Sequence, residues 1–161
     1  MATSVVIRGS FREMVYSKID TRCRTTLMKG RIGRYLFEIV NFCGNYPTAY
    51  IHLPKDYPID NIIDHRYDDD FFMCLYDRIS LPVHQGLTWN SWSESKKHGV
   101  VLGWDYGHEG DWHGQHEEYY LRGIMREGES YDLPKRWTVG EILGEIRIAV
   151  SYLERERKKA K

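Results

Sequence analysis

The sequence predicts a single α+β domain spanning residues 1–161, in which an antiparallel sheet carries a C-terminal helix packed on one face. Three observations predict it. Apolar residues Val139, Ile142, Leu143, Ile146, Ala149, Val150 and Leu153 recur at helical spacing. Short segments rich in β-branched and aromatic residues, bounded by Gly, Pro or Asn, recur upstream. Finally, 161 residues with 42% hydrophobic and 29% charged side chains suffice for one core and fall short of two.

Taken in order, Val5–Ile7, ended by Gly9, is the first and weakest strand candidate. Arg34–Val40 and Thr48–Leu53 are stronger, and Cys43-Gly44-Asn45-Tyr46-Pro47 between them is a turn signal that predicts a hairpin. Asp56–Asp70 holds Pro58, Asn61 and six aspartates and reads as loop, closed by a short helix over Asp68–Arg78 whose leading carboxylates suit a helix N-terminus. Leu81–Trp89 is a further strand candidate and Val100–Asp105 a firm one. Ser91–Gly99 and Gly107–Gly114 read as polar loops. Thr138 followed three residues on by Glu141 is a capping-box pattern that starts the last helix. Its charged tail, Glu154 to Lys161, reads as a solvated helix end. No internal repeat or low-complexity tract interrupts this order.

A net charge of zero conceals an asymmetry. Residues 1–34 carry eight basic and two acidic side chains, residues 35–153 ten basic and nineteen acidic. Two readings stand: the basic segment folds against its own acidic body, or Arg12, Arg22, Arg24, Arg31 and Arg34 recruit an anionic partner. No apolar run approaches the roughly 20 residues of a membrane span, and Met1–Ser10 lacks the order of a signal peptide. Cys23, Cys43 and Cys74 form no C-x-x-C pair, which argues against a disulfide framework or a zinc–thiolate site and fits a reducing, cytoplasmic setting. No membrane partner is expected, nucleic acid is disfavoured, and self-association stays open.

Polar chemistry concentrates where the Val100–Asp105 strand runs out, in Trp104-Asp105-Tyr106-Gly107-His108-Glu109-Gly110-Asp111 and on through His113 and His116. Imidazole and carboxylate groups three residues apart, as in Asp105, His108 and Asp111, converge on a divalent cation or form a base with its orienting partner. The competing reading is a hydrophilic surface loop, with Asp105 and Asp111 capping turns. The second cluster, His84-Gln85-Gly86-Leu87-Thr88-Trp89, sets a histidine and a threonine on an otherwise apolar segment. Neighbouring strands would bring the two clusters together, so His84, Thr88, Trp89, Trp104, Asp105, His108 and Asp111 are the candidate ligand-binding residues.

These two motifs resemble those of a family of small phage and bacterial proteins of unassigned activity, which carry His-Gly-Gly-Leu-Thr-Tyr followed by Gly-Phe-Asp-Cys-Ala-His-x-Gly-Asp. The resemblance spans roughly residues 42–153. It keeps His84, Gly86, Thr88, Asp105, His108, Gly110 and Asp111 in register. Gln85 stands for the second Gly, Trp89 for Tyr, Trp104 for Phe, and Tyr106-Gly107 for Cys-Ala. It implies a phage-linked setting in a host cytoplasm and no particular activity.

Three function classes follow. The leading expectation is a phage-type counter-defence inhibitor that binds a nucleotide-like small molecule or a host defence protein without turnover, since aromatic side chains stack on bases. A small metal- or His/Asp-dependent hydrolase is the alternative, and a virion or host-interaction module the third. No Walker motif, dinucleotide fingerprint, G-x-S-x-G elbow or zinc-finger spacing is present.

Overall fold

The computed structural model describes residues 5–7, 24–42, 44–68, 73–91, 99–122 and 134–159. Six strands, β1 (Val5–Ile7), β2 (Arg24–Ile32), β3 (Tyr35–Phe42), β4 (Tyr46–His52), β5 (Trp89–Asn90) and β6 (Val101–Asp105), form one antiparallel sheet in the order β1-β2-β3-β4-β6-β5. The expected hairpin is present. β3 pairs with β4 from Leu36↔His52 to Phe42↔Tyr46, and Gly44, at φ +67°, supplies the left-handed residue in its turn.

Two helices follow the strands, α1 (Gly114–Leu121) and α2 (Val139–Lys158). Thr138 and Glu141 close the capping box at the start of α2, each side chain bonding the other's backbone N–H. Ile142, Ile146, Ala149 and Leu153 turn inward onto the sheet face formed by Tyr35, Phe37 and Ile39 of β3, Ala49 and Ile51 of β4, and Leu102 and Trp104 of β6. Tyr57, Ile62, Ile79, Leu81 and Leu87, from the irregular segment between β4 and β5, complete this core. That segment is tied to α2: the Tyr57 hydroxyl donates to Leu153 O at 2.9 Å and Asn61 Nδ2 to Glu156 O at 2.9 Å. No helix among the described residues is long and apolar enough to cross a membrane.

Four local expectations are corrected. Leu81–Trp89 is not a strand: Gln85 (φ +53°) and Gly86 (φ +84°) are both left-handed, which reverses the chain, and only Trp89–Asn90 pairs with β6. The loop expected over Gly107–Gly114 is present up to His113, and only its last residue, Gly114, instead opens α1, whose start is marked by His116 Nδ1 accepting the His113 N–H at 2.9 Å. In place of one helix over Asp68–Arg78 there are 3-10 turns at His65–Tyr67 and Leu75–Arg78, while Asp69 and Asp70 lie outside the described residues. The last correction concerns the charged tail: it is helical to Lys158, but Glu156 within it is buried.

The basic N-terminal segment contains an element the sequence pattern hid. β2 occupies Arg24–Ile32 and pairs along its length with β3, with a bulge between Thr26 and Met28. Two charges of the basic segment are matched within the fold: Arg24 lies 2.9 Å from Glu38 and Arg34 2.6 Å from Asp56. Arg31 is exposed on β2, and Arg12 and Arg22 lie outside the described residues.

Candidate metal centre and an adjoining aromatic groove

Three of the sequence-designated residues converge just beyond the end of β6. The left-handed pair Gln85-Gly86 turns the segment after Leu81 so that His84 faces the loop following β6. In that loop Asp105 Oδ1 accepts the Gly107 N–H at 3.0 Å, an Asx turn. Gly110, at φ +89°, then folds Asp111 back beneath His108. A short parallel bridge, Lys135 N–H to Gly110 O at 2.6 Å and Trp112 N–H to Lys135 O at 2.9 Å, clamps the loop to the chain that leads into α2 and delivers Trp137 to the site.

Asp111 is the anchor of this arrangement. Only 2% of its surface is exposed, and both carboxylate oxygens are engaged. Oδ1 accepts the Trp137 indole N–H at 2.8 Å; Oδ2 accepts the His108 backbone N–H at 3.0 Å and lies 2.9 Å from His84 Nε2. Burial pushes its carboxyl upward, but the bonds from Trp137, His84 and the His108 N–H outweigh it and hold Asp111 below the ordinary carboxylate value. His84 is fixed in turn by aromatic packing. Its ring stacks parallel on Tyr106 at 5.3 Å, and Trp137 closes against it at 4.8 Å. Tyr106 is fully buried, accepts the Trp104 indole N–H at 2.9 Å and donates to Glu145 of α2. Burial first, and the Glu145 carboxylate second, push its hydroxyl far above the usual tyrosine value, so it stays protonated.

His108 completes the cluster in a different way. Its ring meets that of His84 edge-on at 5.5 Å, and its Nδ1 is buried without a hydrogen-bond partner among the described residues. That nitrogen lies 3.5 Å from Asp111 Oδ2 and 3.7 Å from Asp105 Oδ1. Both gaps are too long for a hydrogen bond. They are close to the ~3.4 Å that separates two donors bound at ~2.1 Å to one tetrahedral cation. One donor atom from each of His84, His108 and Asp111 lies within 4.8 Å of the others, close enough to hold a metal ion. The converging set thus includes His84, with Asp105 beside it, where the loop spacing had suggested Asp105, His108 and Asp111.

Of the remaining designated residues, Thr88, Trp89 and Asp105 lie on the other side of the sheet, whereas Trp104 belongs to the core. Asp105 and Thr48 are register partners, so Asp105 projects onto the face opposite α2. With Phe42, Tyr46, Tyr50, Thr88 and Trp89 it lines a groove of about 210 Å³. Trp104 contributes to its floor while being buried. Asp105 therefore belongs to the groove and stands beside the cluster. His113 and His116 pack against Tyr46 and Trp112 at the start of α1, apart from the cluster.

Sequence reasoning missed Trp137, Tyr106 and Glu145, which orient the cluster, and Tyr46 and Tyr50 of the groove. Trp137 adjoins the capping Thr138, and no local pattern ties it to Asp111. Tyr50 had a usable signal: it alternates with Thr48 and His52 on the polar face of a predicted strand.

Comparison with known proteins finds no matching family model, no matching curated protein and no matching solved structure.

Proposed function

We propose that the protein is a divalent-metal-dependent hydrolase whose cation is held by His84, His108 and Asp111. The observation that carries this reading is the buried His108 Nδ1, without a hydrogen-bond partner among the described residues, facing two carboxylates at ion-bridging separations. Two imidazoles and one carboxylate suit Zn²⁺ among the first-row ions, and three protein ligands leave a position for water, as in catalytic rather than structural zinc sites. A cation held there would bring the pKa of a bound water down towards neutrality. Asp105, fixed by its Asx turn 3.7 Å from His108 Nδ1, is placed to take the proton. With such a cation bound, the water oxygen would attack a phosphoryl or acyl centre, the leaving oxygen would depart with its electron pair, and Asp105 would return the proton to it.

Metal content and turnover test this together. Zinc-treated wild-type protein should retain one ion per chain and hydrolyse p-nitrophenyl phosphate or p-nitrophenyl acetate. His108→Ala, folded by circular dichroism, should lose both properties. Stoichiometric metal loss without loss of turnover would overturn the assignment, as would a preference for iron with oxygen consumption.

A second reading, ligand capture without turnover, draws support from the aromatic groove beside the cluster. In the counter-defence setting implied by the phage-type resemblance, the captured ligand is a nucleotide-like small molecule or a host defence protein. A bound metal and ligand with no product formed would favour this reading.

A further inference from the structure

The open sheet face at the Asp105 end carries two aromatic pairs with a gap between them. On one side Trp89 stands edge-on to Tyr50 at 5.6 Å and 90°, and on the other Phe42 stacks on Tyr46 at 6.4 Å and 24°. Both pairs are seated on glycines. A Cβ at Gly103 would come within 2.9 Å of the Tyr50 ring and 3.2 Å of Trp89, and one at Gly107 within 2.9 Å of the Tyr46 ring. Side-chain-free positions on and just after β6 therefore let these rings lie down against the backbone and shape the groove. Trp89 and Phe42 each leave 46% of their surface exposed, although rings of this size are usually buried in a core.

The volume and lining select the occupant. About 210 Å³ is below the roughly 300 Å³ at which pockets for whole drug-sized ligands begin, so the groove takes one planar ring rather than an entire molecule. Thr88 and the Asp105 carboxylate supply hydrogen-bonding groups to the groove, suited to a heterocycle bearing N–H donors. The rest of the molecule emerges beside His84 and His108, because Asp105 is common to the groove and the flank of the cluster. A cation at that point calls for an anionic group on the same ligand.

We infer that the groove lined by Trp89, Tyr50, Phe42 and Tyr46 is a base-binding subsite, and that the ligand of the neighbouring centre is a nucleotide, its base in the groove and its phosphate at the cation. The placement of the phosphate rests on the metal reading above; the base subsite stands on the groove itself.

Calorimetric titration of zinc-treated protein with the four common nucleoside 5′-monophosphates, and with ribose 5-phosphate as the ring-free control, tests this, with bound zinc measured on the same samples. At least one nucleotide should bind tenfold or more tighter than ribose 5-phosphate. Trp89→Ala should weaken that nucleotide roughly 5- to 150-fold, the range for losing one base–aromatic stack. Trp89→Phe should recover most of the affinity, and neither variant should change the zinc content. Absence of nucleotide binding, equal affinity for ribose 5-phosphate, or indifference to Trp89→Ala overturns the inference. If zinc is retained in those cases, the metal reading survives alone. Conversely, Trp89-dependent nucleotide binding with no zinc retained keeps the base subsite and removes the metal centre.

Discussion

Gln85 shows how a single residue sets the site at an energetic cost. It occupies the left-handed region at φ +53°, where a side chain crowds the following carbonyl and costs roughly 1–2 kcal/mol, and glycine there pays only its entropy of about 0.5–1 kcal/mol. Gln85→Gly should therefore raise stability by about 0.5–1 kcal/mol and the melting midpoint by about 2 °C. An unchanged or lowered midpoint would show that the Gln85 side chain contributes contacts that offset its backbone strain. Asp111 illustrates the opposite balance: nearly complete burial is tolerated because His84, Trp137 and the His108 N–H all meet its carboxylate. The histidines and Asp111 were legible from the sequence as chemistry-bearing residues in two short motifs. Their partner Trp137 was not, because an indole N–H arriving from 26 residues away leaves no periodic or local trace.

Among the elements, α2 is the one most completely written in the sequence. Its capping box and apolar stripe are local patterns, and the helix they predict is the helix observed. The two isoleucines two residues apart on it test which face does the packing. Ile146 is fully buried against the sheet, whereas Ile148 is 59% exposed. Ile146→Asp should cost roughly 3 kcal/mol or more by burying an unpaired charge, and Ile148→Asp should stay within about 0.5 kcal/mol. Equal costs in denaturant melts would sink this orientation. β2 is the counter-example. Thr25-Thr26-Leu27-Met28 has strand-compatible composition, but its outward-facing basic residues give the segment the look of a charged arm, and only pairing with β3 reveals it as an interior strand. Likewise Leu81–Trp89 has the composition of a strand, but the left-handed pair Gln85-Gly86 breaks it and leaves only Trp89 in the sheet.

At the scale of the whole molecule, carboxylates held below their ordinary values make acid a probe of the folded state, and two of them, Glu154 with Tyr35 and Asp56 with Arg34, join segments distant in sequence. The Arg157 hydrogen bond holds Glu154 below its ordinary value, aided by Tyr35 of β3. Burial raises Glu141, but Lys135 and the Thr138 cap more than reverse it. Arg34 lowers Asp56, and Arg66 brings Asp64 down to about 2. Because these groups are depressed in the folded chain, the unfolded chain binds more protons as acid is added. Their stabilisation is complete above the ordinary carboxylate values of about 4 and is lost as pH falls through the lowered ones, toward about 2. The melting midpoint should thus decline modestly between about pH 7 and 5, where burial holds His52 and His116 below the ordinary histidine value, and fall steeply below about pH 4, and Glu154→Gln should make the acid fall shallower. A midpoint that holds down to about pH 2.5 would refute the linkage.

By itself the sequence determined the class of the fold, the C-terminal helix with its cap, the β3–β4 hairpin, the β6 strand, and which polar residues were worth watching. Each of these is encoded in the spacing of neighbouring residues, where helix and strand periods and turn residues act over a few positions. Only the tertiary structure decided that β2 completes the sheet, that His84 meets His108 and Asp111 while Thr88 and Trp89 turn to the opposite face, and that Trp137 and Tyr106 orient the cluster. The β2–β3 pairing is a hairpin joining residues 3 to 18 apart, but the contacts that build the cluster join residues 22 to 53 apart, and their specificity resides in sheet register and the shape of the packed core, which no short window of sequence carries.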